Sequence, residues 1–490
     1  MASETLESVA NTSYDNELNS WISQEKAAVD LISSIGTLLY NKSVELVLFR
    51  NHLVDKSVSE ILTLHKYGRK VINKDVDVYA TSSLAKVLLD LDLAPSKLDI
   101  GKLASEWLDE KDAYDNERAF IEAKLANYIG IEKSPIQPKD VVLYGFGRIG
   151  RIAARELIKQ SGKGQQLRLR AIVTRSASDK DIVKRAALLR MDSVHGSFPG
   201  NVDVDLENKA LVINGQIVKF IAANAPEEVD YEKYGIKEAL VIDNTGVFND
   251  KEALSRHLKA KGTSKVILTA PGKEIPNIVY GINHKGIDFE EENIFSAASC
   301  TTNAIVPILH VVEEKFGIEK GHIETVHAYT NDQNLLDNMH KKTRRGRSAA
   351  INMVITETGA GKAVTKVIPS LDGKLTANAV RVPTPNGSLA IMSLTLKNEV
   401  NLDSMNETIK RAALDGNLVN QINYSVEEEL VSSDIIGNTC CSVYDSPATI
   451  VSNDKKNVVL YVWYDNEFGY TKQVIRLAKS VAKVRRLIYY

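Results

Sequence analysis

Apolar side chains recur at helical spacing through the first 134 residues of the chain. The recurrence runs through Trp21, Ile22, Val29, Leu31, Ile32, Leu38 and Leu39, and resumes over residues 44–48, 61–64 and 84–91. Positions three or four residues apart lie on one face of a helix, so each of these stretches is predicted to be helical. Because few strand or turn signals interrupt them, we predict that residues 1–134 form a mostly helical, packed domain of unknown role.

The pattern changes after residue 138 to short apolar runs that alternate with helical stretches. Strands are predicted over residues 141–144, 167–173, 240–243 and 266–269, and a helix over 149–158. This alternation is typical of βαβ units and a parallel sheet, which is an α/β arrangement. From about residue 320 onward β-rich runs appear, such as 388–396 and 458–463, and they predict a second, α+β domain with a partly antiparallel sheet.

Pro135 and Pro138 mark the boundary between the two patterns, since proline disfavours helix on both sides. The charge changes at the same place. Residues 1–138 carry 15 Lys and Arg against 22 Asp and Glu, a net charge of −7, whereas the remainder carries 46 against 41, a net charge of +5. We predict three domains, over residues 1–134, 139–299 and 300–470, with a C-terminal helix over 471–490 that belongs to the second.

Composition excludes several classes of function. The 490 residues are 44% hydrophobic and 25% charged with a net charge of −2, and nothing in this balance favours nucleic acid or an anionic membrane as a partner. The three cysteines, Cys300, Cys440 and Cys441, are too few for a disulfide framework. With no signal peptide and no run of roughly 20 apolar residues, these features predict a cytoplasmic protein.

A glycine-rich loop follows the first predicted strand of the second domain. Residues 145–150 read Gly-Phe-Gly-Arg-Ile-Gly and open a predicted helix. In a dinucleotide-binding loop of this form the first glycine permits the tight turn, the second lets the backbone approach a pyrophosphate, and the third packs helix against strand. The helix N-terminus adds free N–H groups for the phosphates. The loop residues expected to bind the cofactor are Gly145, Gly147, Arg148, Ile149 and Gly150.

The acidic residue expected about 20 residues farther on, where it would bind the adenosine 2′-hydroxyl, is missing. Thr174 and Arg175 stand there, at the end of the next predicted strand. A carboxylate would repel a 2′-phosphate, whereas Thr and Arg can bind one. We hypothesise that the cofactor is NAD or NADP and that NADP is accepted; the alternative is that Asp179 takes the acidic position.

One cysteine and one histidine are candidates for nucleophilic catalysis. Cys300 stands between hydroxyl residues just before an apolar helical run, where a thiol gains thiolate stability from the helix dipole. The alternative is a cysteine packed in the core. His327 follows a strand-like run over residues 323–326, and a histidine at a strand end can accept the proton of such a thiol. A lone histidine is usually structural, so spacing by itself does not decide between these interpretations.

Five sequence blocks occur in a fixed order along the second part of the chain. They are residues 299–303 (Ser-Cys-Thr-Thr-Asn), 327–334 (His-Ala-Tyr-Thr-Asn-Asp-Gln-Asn), 358–364 (Thr-Gly-Ala-Gly-Lys-Ala-Val), 381–386 (Arg-Val-Pro-Thr-Pro-Asn) and 463–470 (Trp-Tyr-Asp-Asn-Glu-Phe-Gly-Tyr). With the glycine loop, they resemble the signature blocks of phosphorylating glyceraldehyde-3-phosphate dehydrogenase. The resemblance covers about residues 140–490, and residues 1–138 are an extension that ordinary family members lack.

The resemblance implies a reaction and a set of binding residues. Cys300 attacks the aldehyde of glyceraldehyde 3-phosphate, His327 is its base, a hydride passes to NAD or NADP, and inorganic phosphate releases the thioester as 1,3-bisphosphoglycerate. A homotetramer is also implied. The implied phosphate-binding residues are Ser299, Thr301, Thr330, Arg347, Thr358, Gly359 and Arg381, and the implied cofactor residues are Thr269 and Asn466. Arg347 lies in a basic run over residues 340–347, and the alternative is that this run is simply solvated.

The chain departs from the family pattern mainly on the adenosine side. Tyr144 replaces an asparagine before the glycine loop, Thr174 replaces the acid, and residues 223–226 read Ala-Asn-Ala-Pro where the family often has Glu-Arg-Asp-Pro. These changes bear on the choice of cofactor and leave the chemistry intact. Two other functions stay open: an erythrose-4-phosphate dehydrogenase that hydrolyses its thioester, and a catalytically silent relative kept as a scaffold.

Overall fold

The chain folds into two compact units. The first contains Met1–Pro135 together with Arg486–Tyr490, and the second contains Ile136–Arg485. The computed structural model describes residues 2–130 and 136–490, with side chains from residue 13 onward. Among these residues no helix combines the length and the apolar character needed to cross a bilayer.

The first unit is mostly helical, as the hydrophobic spacing predicts. Its helices are α1 (Ala2–Thr37), α2 (Val58–Ile72), α3 (Val78–Asp90), α4 (Ile100–Glu110) and α5 (Glu117–Lys124). The side chains of Ser57, Asp77 and Asp99 accept free N–H groups in the first turns of α2, α3 and α4. Leu84 and Phe120 are fully buried in the core that these helices share.

A four-stranded sheet in the first unit was not predicted. β1 (Glu45–Leu48) lies between β2 (Asn51–His52) and β3 (Ser96–Asp99), and the C-terminal strand Leu487–Tyr489 pairs in parallel with β3. The prediction of a helix over residues 44–48 is wrong, because a strand buried on both faces is apolar without alternation. The predicted C-terminal helix over 471–490 is wrong in its last part: it ends at Val481, and the chain returns to the first unit.

The second unit begins with a Rossmann-type domain. Its elements are β4 (Lys139–Tyr144), α6 (Arg148–Lys159), β5 (Leu167–Thr174), α7 (Asp179–Arg190), β6 (Met191–Asp192), β7 (Gly196–Ser197), β8 (Val202–Asp205), β9 (Ala210–Ile213), β10 (Gln216–Ala222), β11 (Ala239–Asp243), α8 (Lys251–Ser255), β12 (Thr263–Leu268) and β13 (Ile294–Ser296). The large sheet has the order β13-β12-β11-β4-β5-β10-β9-β8 and is parallel from β13 to β10. Strand order reverses between β4 and β11, so their carboxyl ends frame a ligand crevice beside the glycine loop.

An α+β domain completes the second unit. Its elements are α9 (Cys300–Phe316), β14 (Ile318–Ala328), β15 (Val354–Thr356), α10 (Ala360–Val367), β16 (Leu375–Val382), β17 (Ser388–Leu396), α11 (Leu402–Leu414), β18 (Ile422–Ser425), β19 (Ser442–Asp445), β20 (Ile450–Val451), β21 (Asn457–Tyr464) and α12 (Phe468–Val481). The mixed sheet has the order β15-β16-β14-β17-β21-β19-β18, with α9 packed on one face. α12 returns to the Rossmann-type domain, where Val474 and Leu477 join the core beside α6.

Candidate active site

Cys300 is the first residue of α9 and lies directly after a strained turn. Ala298, two residues earlier, has a φ of +55°, a left-handed conformation that L residues rarely adopt. The Tyr470 hydroxyl donates to the Ala298 carbonyl (2.9 Å), and the Ala298 N–H donates to the Ser296 hydroxyl (3.0 Å). These contacts hold the turn between β13 and α9, so the thiol is fixed at the positive end of the helix.

His327 lies next to this thiol. Its Nε2 is 3.6 Å from the Cys300 sulfur, although 27 residues separate the two in the chain. The other ring nitrogen, Nδ1, lies 2.7 Å from the Ala328 carbonyl oxygen. In the tautomer that carries its proton on Nδ1, the imidazole donates to that carbonyl, and the unprotonated Nε2 faces the sulfur. The two candidate residues therefore meet in the geometry that a thiol and its base require.

Burial controls the protonation of both groups. Burial raises the pKa of the Cys300 thiol, and the positive charge of Arg381 opposes this effect. Burial also lowers the pKa of His327 to about 3, and Arg381 adds to that decrease. Desolvation of the sulfur opposes the stabilisation of the thiolate that the helix N-terminus was predicted to give. Burial therefore favours a neutral thiol beside a neutral imidazole.

Arg381 joins the candidate base to a candidate anion site. The parallel pairing of β14 and β16 sets Arg381 opposite His327. Its Nη1 is 3.0 Å from His327 Nδ1 and 3.3 Å from the Thr330 hydroxyl, and it donates to the Ala328 carbonyl (3.0 Å). Its Nε is buried without a protein hydrogen-bond partner among the described residues. A buried guanidinium with an unused donor is suited to hold a phosphate.

Two arginines of the basic run over residues 340–347 have different surroundings. Arg347 is 65% exposed and pairs with Asp337 at 3.1 Å. Arg345 is only 12% exposed, pairs with Asp332, and donates to the Thr356 hydroxyl (2.7 Å). Asp332 in turn accepts a hydrogen bond from Thr330. Sequence reasoning missed Arg345, because two arginines two residues apart in an irregular segment give no periodic signal for which one turns inward.

The remaining predicted phosphate residues lie at helix starts. The Ser299 hydroxyl accepts the Thr302 N–H (3.0 Å) as the cap of α9, and the Thr301 hydroxyl lies 3.1 Å from that of Tyr464. Gly359 caps α10, and a side chain there would meet open space, since nothing lies within 4 Å of an added Cβ. The Thr358 hydroxyl accepts the Ala360 N–H at 3.2 Å. The N-terminus of α10 is thus open to an anion.

The backbone conformation and close contacts of the loop explain why glycine occupies three of its positions. Gly145 has a φ of +93°. A Cβ on Gly150 would lie 2.5 Å from the Gly145 carbonyl oxygen, so helix α6 approaches the loop only with glycine at this position. Gly147 precedes α6, and nothing lies within 4 Å of an added Cβ. The backbone at Gly147 is therefore open to a ligand, and Ile149 in the first turn of α6 packs against the hydrophobic core.

The side chain of Arg148 is engaged within the protein. Its guanidinium donates to both carboxylate oxygens of Glu467 and of Asp192, at 3.1 and 3.2 Å for Asp192. These ion pairs raise the pKa of Arg148, Glu467 contributing most. Arg148 can therefore contact the cofactor only through its backbone at the start of α6. Its side chain instead binds Glu467, the residue after Asn466.

The adenosine side of the crevice lacks a carboxylate at the end of β5. The Thr174 hydroxyl donates to the Ser176 carbonyl (2.7 Å), and Arg175 is exposed. Asp179, the alternative acid, is the first residue of α7 and forms an ion pair with Lys209. Farther along the sheet edge, the Thr269 hydroxyl donates to the Asp243 carbonyl (3.0 Å) and joins the ends of β11 and β12.

Comparison with known proteins identifies the family. Residues 139–251 match the family model described as glyceraldehyde 3-phosphate dehydrogenase, NAD binding domain, and residues 299–466 match the C-terminal domain of the same enzyme. A glyceraldehyde-3-phosphate dehydrogenase-like protein of Pseudomonas aeruginosa (strain UCBPP-PA14) is 47% identical over 458 residues, which cover 93% of this chain and 98% of that one. An alignment of that length extends well into the first unit.

Relatives of ordinary length match a smaller share of the chain. Glyceraldehyde-3-phosphate dehydrogenase of Clostridium pasteurianum is 39% identical over 351 residues, 71% of this chain and 99% of that one. Glyceraldehyde-3-phosphate dehydrogenase 1 of Bacillus subtilis (strain 168) is 40% identical over 344 residues, 70% of this chain and 98% of that one. The chain therefore belongs to the glyceraldehyde-3-phosphate dehydrogenase family, as a long form with an additional helical unit.

Proposed function

We propose that this protein oxidises glyceraldehyde 3-phosphate and couples the oxidation to phosphate, giving 1,3-bisphosphoglycerate through a thioester on Cys300. The observation that carries the proposal is the 3.6 Å approach of the Cys300 sulfur to His327 Nε2 at the start of α9. Arg381 beside this pair supplies positive charge for a phosphorylated substrate. A sulfur, a base and an anion site within one small region are what acyl transfer from a phosphorylated aldehyde needs.

The chain's own groups account for the proton transfers. His327 Nε2 takes the thiol proton as the sulfur bonds to the aldehyde carbon, and the carbonyl π electrons become an oxyanion. The N–H groups at the start of α9 and the imidazolium stabilise that oxyanion. His327 returns this proton to the oxyanion, which becomes the hemithioacetal hydroxyl, and accepts it again as the hemithioacetal carbon loses its hydride. Finally a phosphate oxygen attacks the thioester carbon, the C–S bond breaks, and Cys300 leaves as the thiolate.

A nicotinamide cofactor would supply the hydride acceptor, and the residues of the crevice fit one. The open position at Gly147 and the start of α6 suit the pyrophosphate, Thr269 lies along the same sheet edge, and Asn466 suits the carboxamide of the nicotinamide. We propose that NADP is accepted besides NAD, because Thr174 and Arg175 offer no carboxylate to repel a 2′-phosphate. Initial rates with the two cofactors test this; a large preference for NAD would contradict it.

Phosphate separates the proposed reaction from its alternative. Arg345 and the open N-terminus of α10 beside Thr358 and Gly359 support a site for the attacking phosphate. We expect steady-state oxidation of glyceraldehyde 3-phosphate to require phosphate. An acyl product that forms equally fast without phosphate, or a preference for erythrose 4-phosphate, would favour the hydrolytic enzyme. A chain that oxidises neither aldehyde would favour the scaffold.

The protein is also proposed to be a cytoplasmic homotetramer. A segment between β14 and β15 exposes large apolar side chains to solvent: Leu335, Leu336, Met339, Ile351 and Met353 are each more than 70% exposed. Apolar groups concentrated in one segment at such exposure mark an interface between proteins. Analytical ultracentrifugation tests the assembly, and replacement of Leu335 and Leu336 by serine is expected to shift it toward smaller species. The three cysteines, none of them in a disulfide, agree with a reducing compartment.

A further inference from the structure

Asn466 lies in a turn that is fixed by several hydrogen bonds to the neighbouring Asp465 carboxylate. The Asp465 carboxylate accepts the N–H groups of Glu467 (2.9 Å) and Phe468 (2.7 Å), the Asn386 amide (2.8 Å) and the Gly437 N–H (2.8 Å). All of these contacts act on the residues that flank Asn466. The backbone of the turn is therefore fixed without any contribution from the Asn466 side chain.

Glu467 anchors the other side of the same turn. It accepts two hydrogen bonds from the Arg148 guanidinium, and its Oε2 lies 3.1 Å from His195 Nε2. Burial would raise the pKa of Glu467, but His195 and Arg148 outweigh it and lower the pKa. The carboxylate stays charged and paired, so the turn is tied to the start of α6 as well as to the α+β domain.

One hydroxyl controls the orientation of the Asn466 side chain. The Ser388 hydroxyl is 2.8 Å from Asn466 Oδ1, and it accepts the Ala328 N–H at 3.1 Å. Ser388 is the first residue of β17 and is 1% exposed, and Asn466 is 6% exposed. A hydroxyl that accepts a backbone N–H still has its own proton to donate. That proton selects the amide oxygen, and Nδ2 is then the amide group left to donate to a ligand.

We propose that Ser388 is a positioning residue that sets which way the Asn466 amide faces, and thereby which face of the nicotinamide ring is presented to the aldehyde carbon on Cys300. The inference rests on the proposed function. A carboxamide bound through its oxygen to Asn466 Nδ2 has one orientation. If the Asn466 amide turned over, its NH₂ group would face the Ser388 hydroxyl and its oxygen would face the carboxamide oxygen, a repulsive arrangement. Ser388 also contacts the backbone next to His327, so one hydroxyl aligns the cofactor residue and the base.

Hydride stereochemistry tests the proposal. Glyceraldehyde 3-phosphate deuterated at C1 is oxidised by wild type, Ser388→Ala and Ser388→Thr, and the reduced cofactor is analysed by NMR for deuterium on either face of C4. We expect a single face for wild type, a mixture for Ser388→Ala, and a single face again for Ser388→Thr, which keeps the hydroxyl. Ser393→Ala, at an exposed position of the same strand, is the matched control and should give one face.

Cofactor binding separates this inference from the proposed reaction. Titration calorimetry without aldehyde should give a Kd for the cofactor about tenfold higher in Ser388→Ala than in wild type, the equivalent of one lost hydrogen bond. Melting temperatures identify any variant that is misfolded, and Asn466→Asp, which keeps the acceptor for Ser388 and removes Nδ2, should show the same weakening. Unchanged affinity and a single deuterated face in Ser388→Ala would overturn the role of Ser388. An inactive wild type that still binds cofactor, with weaker binding in Ser388→Ala, would overturn the proposed reaction alone.

Discussion

At the scale of single residues, the sequence locates the candidate nucleophile and the candidate base but does not predict how burial shifts their pKa values. Block patterns point to Cys300, His327 and Arg381, and the structure brings them together. The increase in the pKa of Cys300 through burial could not be predicted, because it depends on groups contributed by distant strands. The strained Ala298, with its φ of +55°, gave no sequence signal either, since alanine is not a residue that marks such a turn.

The pairing of thiol and imidazole predicts how alkylation of Cys300 depends on pH. Replacing His327 by asparagine removes the proton acceptor, and the buried thiol must then ionise against its raised pKa. We expect the rate of iodoacetamide labelling at pH 7 to fall by at least about tenfold and to recover as the pH is raised, because more thiolate then forms. Equal labelling rates in wild type and His327→Asn at pH 7 would show that the imidazole is not the acceptor.

The two arginines of the basic run should differ sharply in function. Arg345→Gln removes a mostly buried charge that contacts Asp332 and Thr356, and loss of a charge-assisted hydrogen bond typically costs about 1.5–3 kcal/mol. We expect KM for inorganic phosphate to rise by roughly 10–100-fold. Arg347→Gln, the matched control on the exposed side of the run, should change it less than about twofold. The reverse ranking would favour Arg347, the arginine predicted from the sequence, as the phosphate-binding residue.

At the scale of elements, hydrophobic periodicity predicts the helices and strands whose formation depends on local sequence. The alternation of strands and helices after residue 138 is confirmed in the Rossmann-type domain, as is the helical character of α2 and α3. It fails at β1, because a fully buried strand and a helix segment present the same unbroken apolar run. It also fails at Leu487–Tyr489, whose strand partner β3 lies almost 400 residues earlier, a pairing that no local pattern encodes.

Two glycines of the loop should affect different properties when replaced: Gly150 the stability of the fold, and Gly147 the binding of the cofactor. Gly150→Ala places a Cβ against the Gly145 carbonyl oxygen. Overpacking of this kind typically destabilises a protein by about 1–3 kcal/mol. We expect its free energy of unfolding in urea to fall by that amount. Gly147→Ala meets nothing within 4 Å, so its stability should be nearly unchanged while the Kd for the cofactor rises. A stable Gly150→Ala variant with normal cofactor affinity would contradict the close approach of helix and loop.

At the scale of the whole molecule, the chain leaves the first unit, forms the second, and returns. The last strand lies at the edge of the first unit's sheet, and the buried Arg486 lies 3.5 Å from the Glu45 carboxylate. Removal of residues 486–490 takes away both. We expect amide hydrogen exchange over residues 45–48 and 96–99 to accelerate by at least about tenfold, with residues 141–144 of the second unit as an internal control. Unchanged protection in β1 and β3 would mean that the C-terminal strand is dispensable.

The long-form architecture is the part of the whole molecule that sequence patterns anticipated best. The chain divides into two compact units between Pro135 and Ile136, and the Pseudomonas relative shares most of the chain. The described residues of the first unit form neither a phosphate loop nor a catalytic triad. Its sheet includes the strand Leu487–Tyr489, which follows the whole second unit in sequence.

The covalent intermediate tests the central claim most directly. The protein is mixed with glyceraldehyde 3-phosphate and NAD or NADP without phosphate, quenched in acid, digested, and analysed by mass spectrometry, with Cys300→Ser and Cys440→Ser as test and control variants. We predict a phosphoglyceroyl group on the peptide that contains Cys300, its loss when phosphate is added before quenching, its absence in Cys300→Ser and its presence in Cys440→Ser. Reduced cofactor formed with no acyl group on Cys300, or with the group on another residue, would contradict the account.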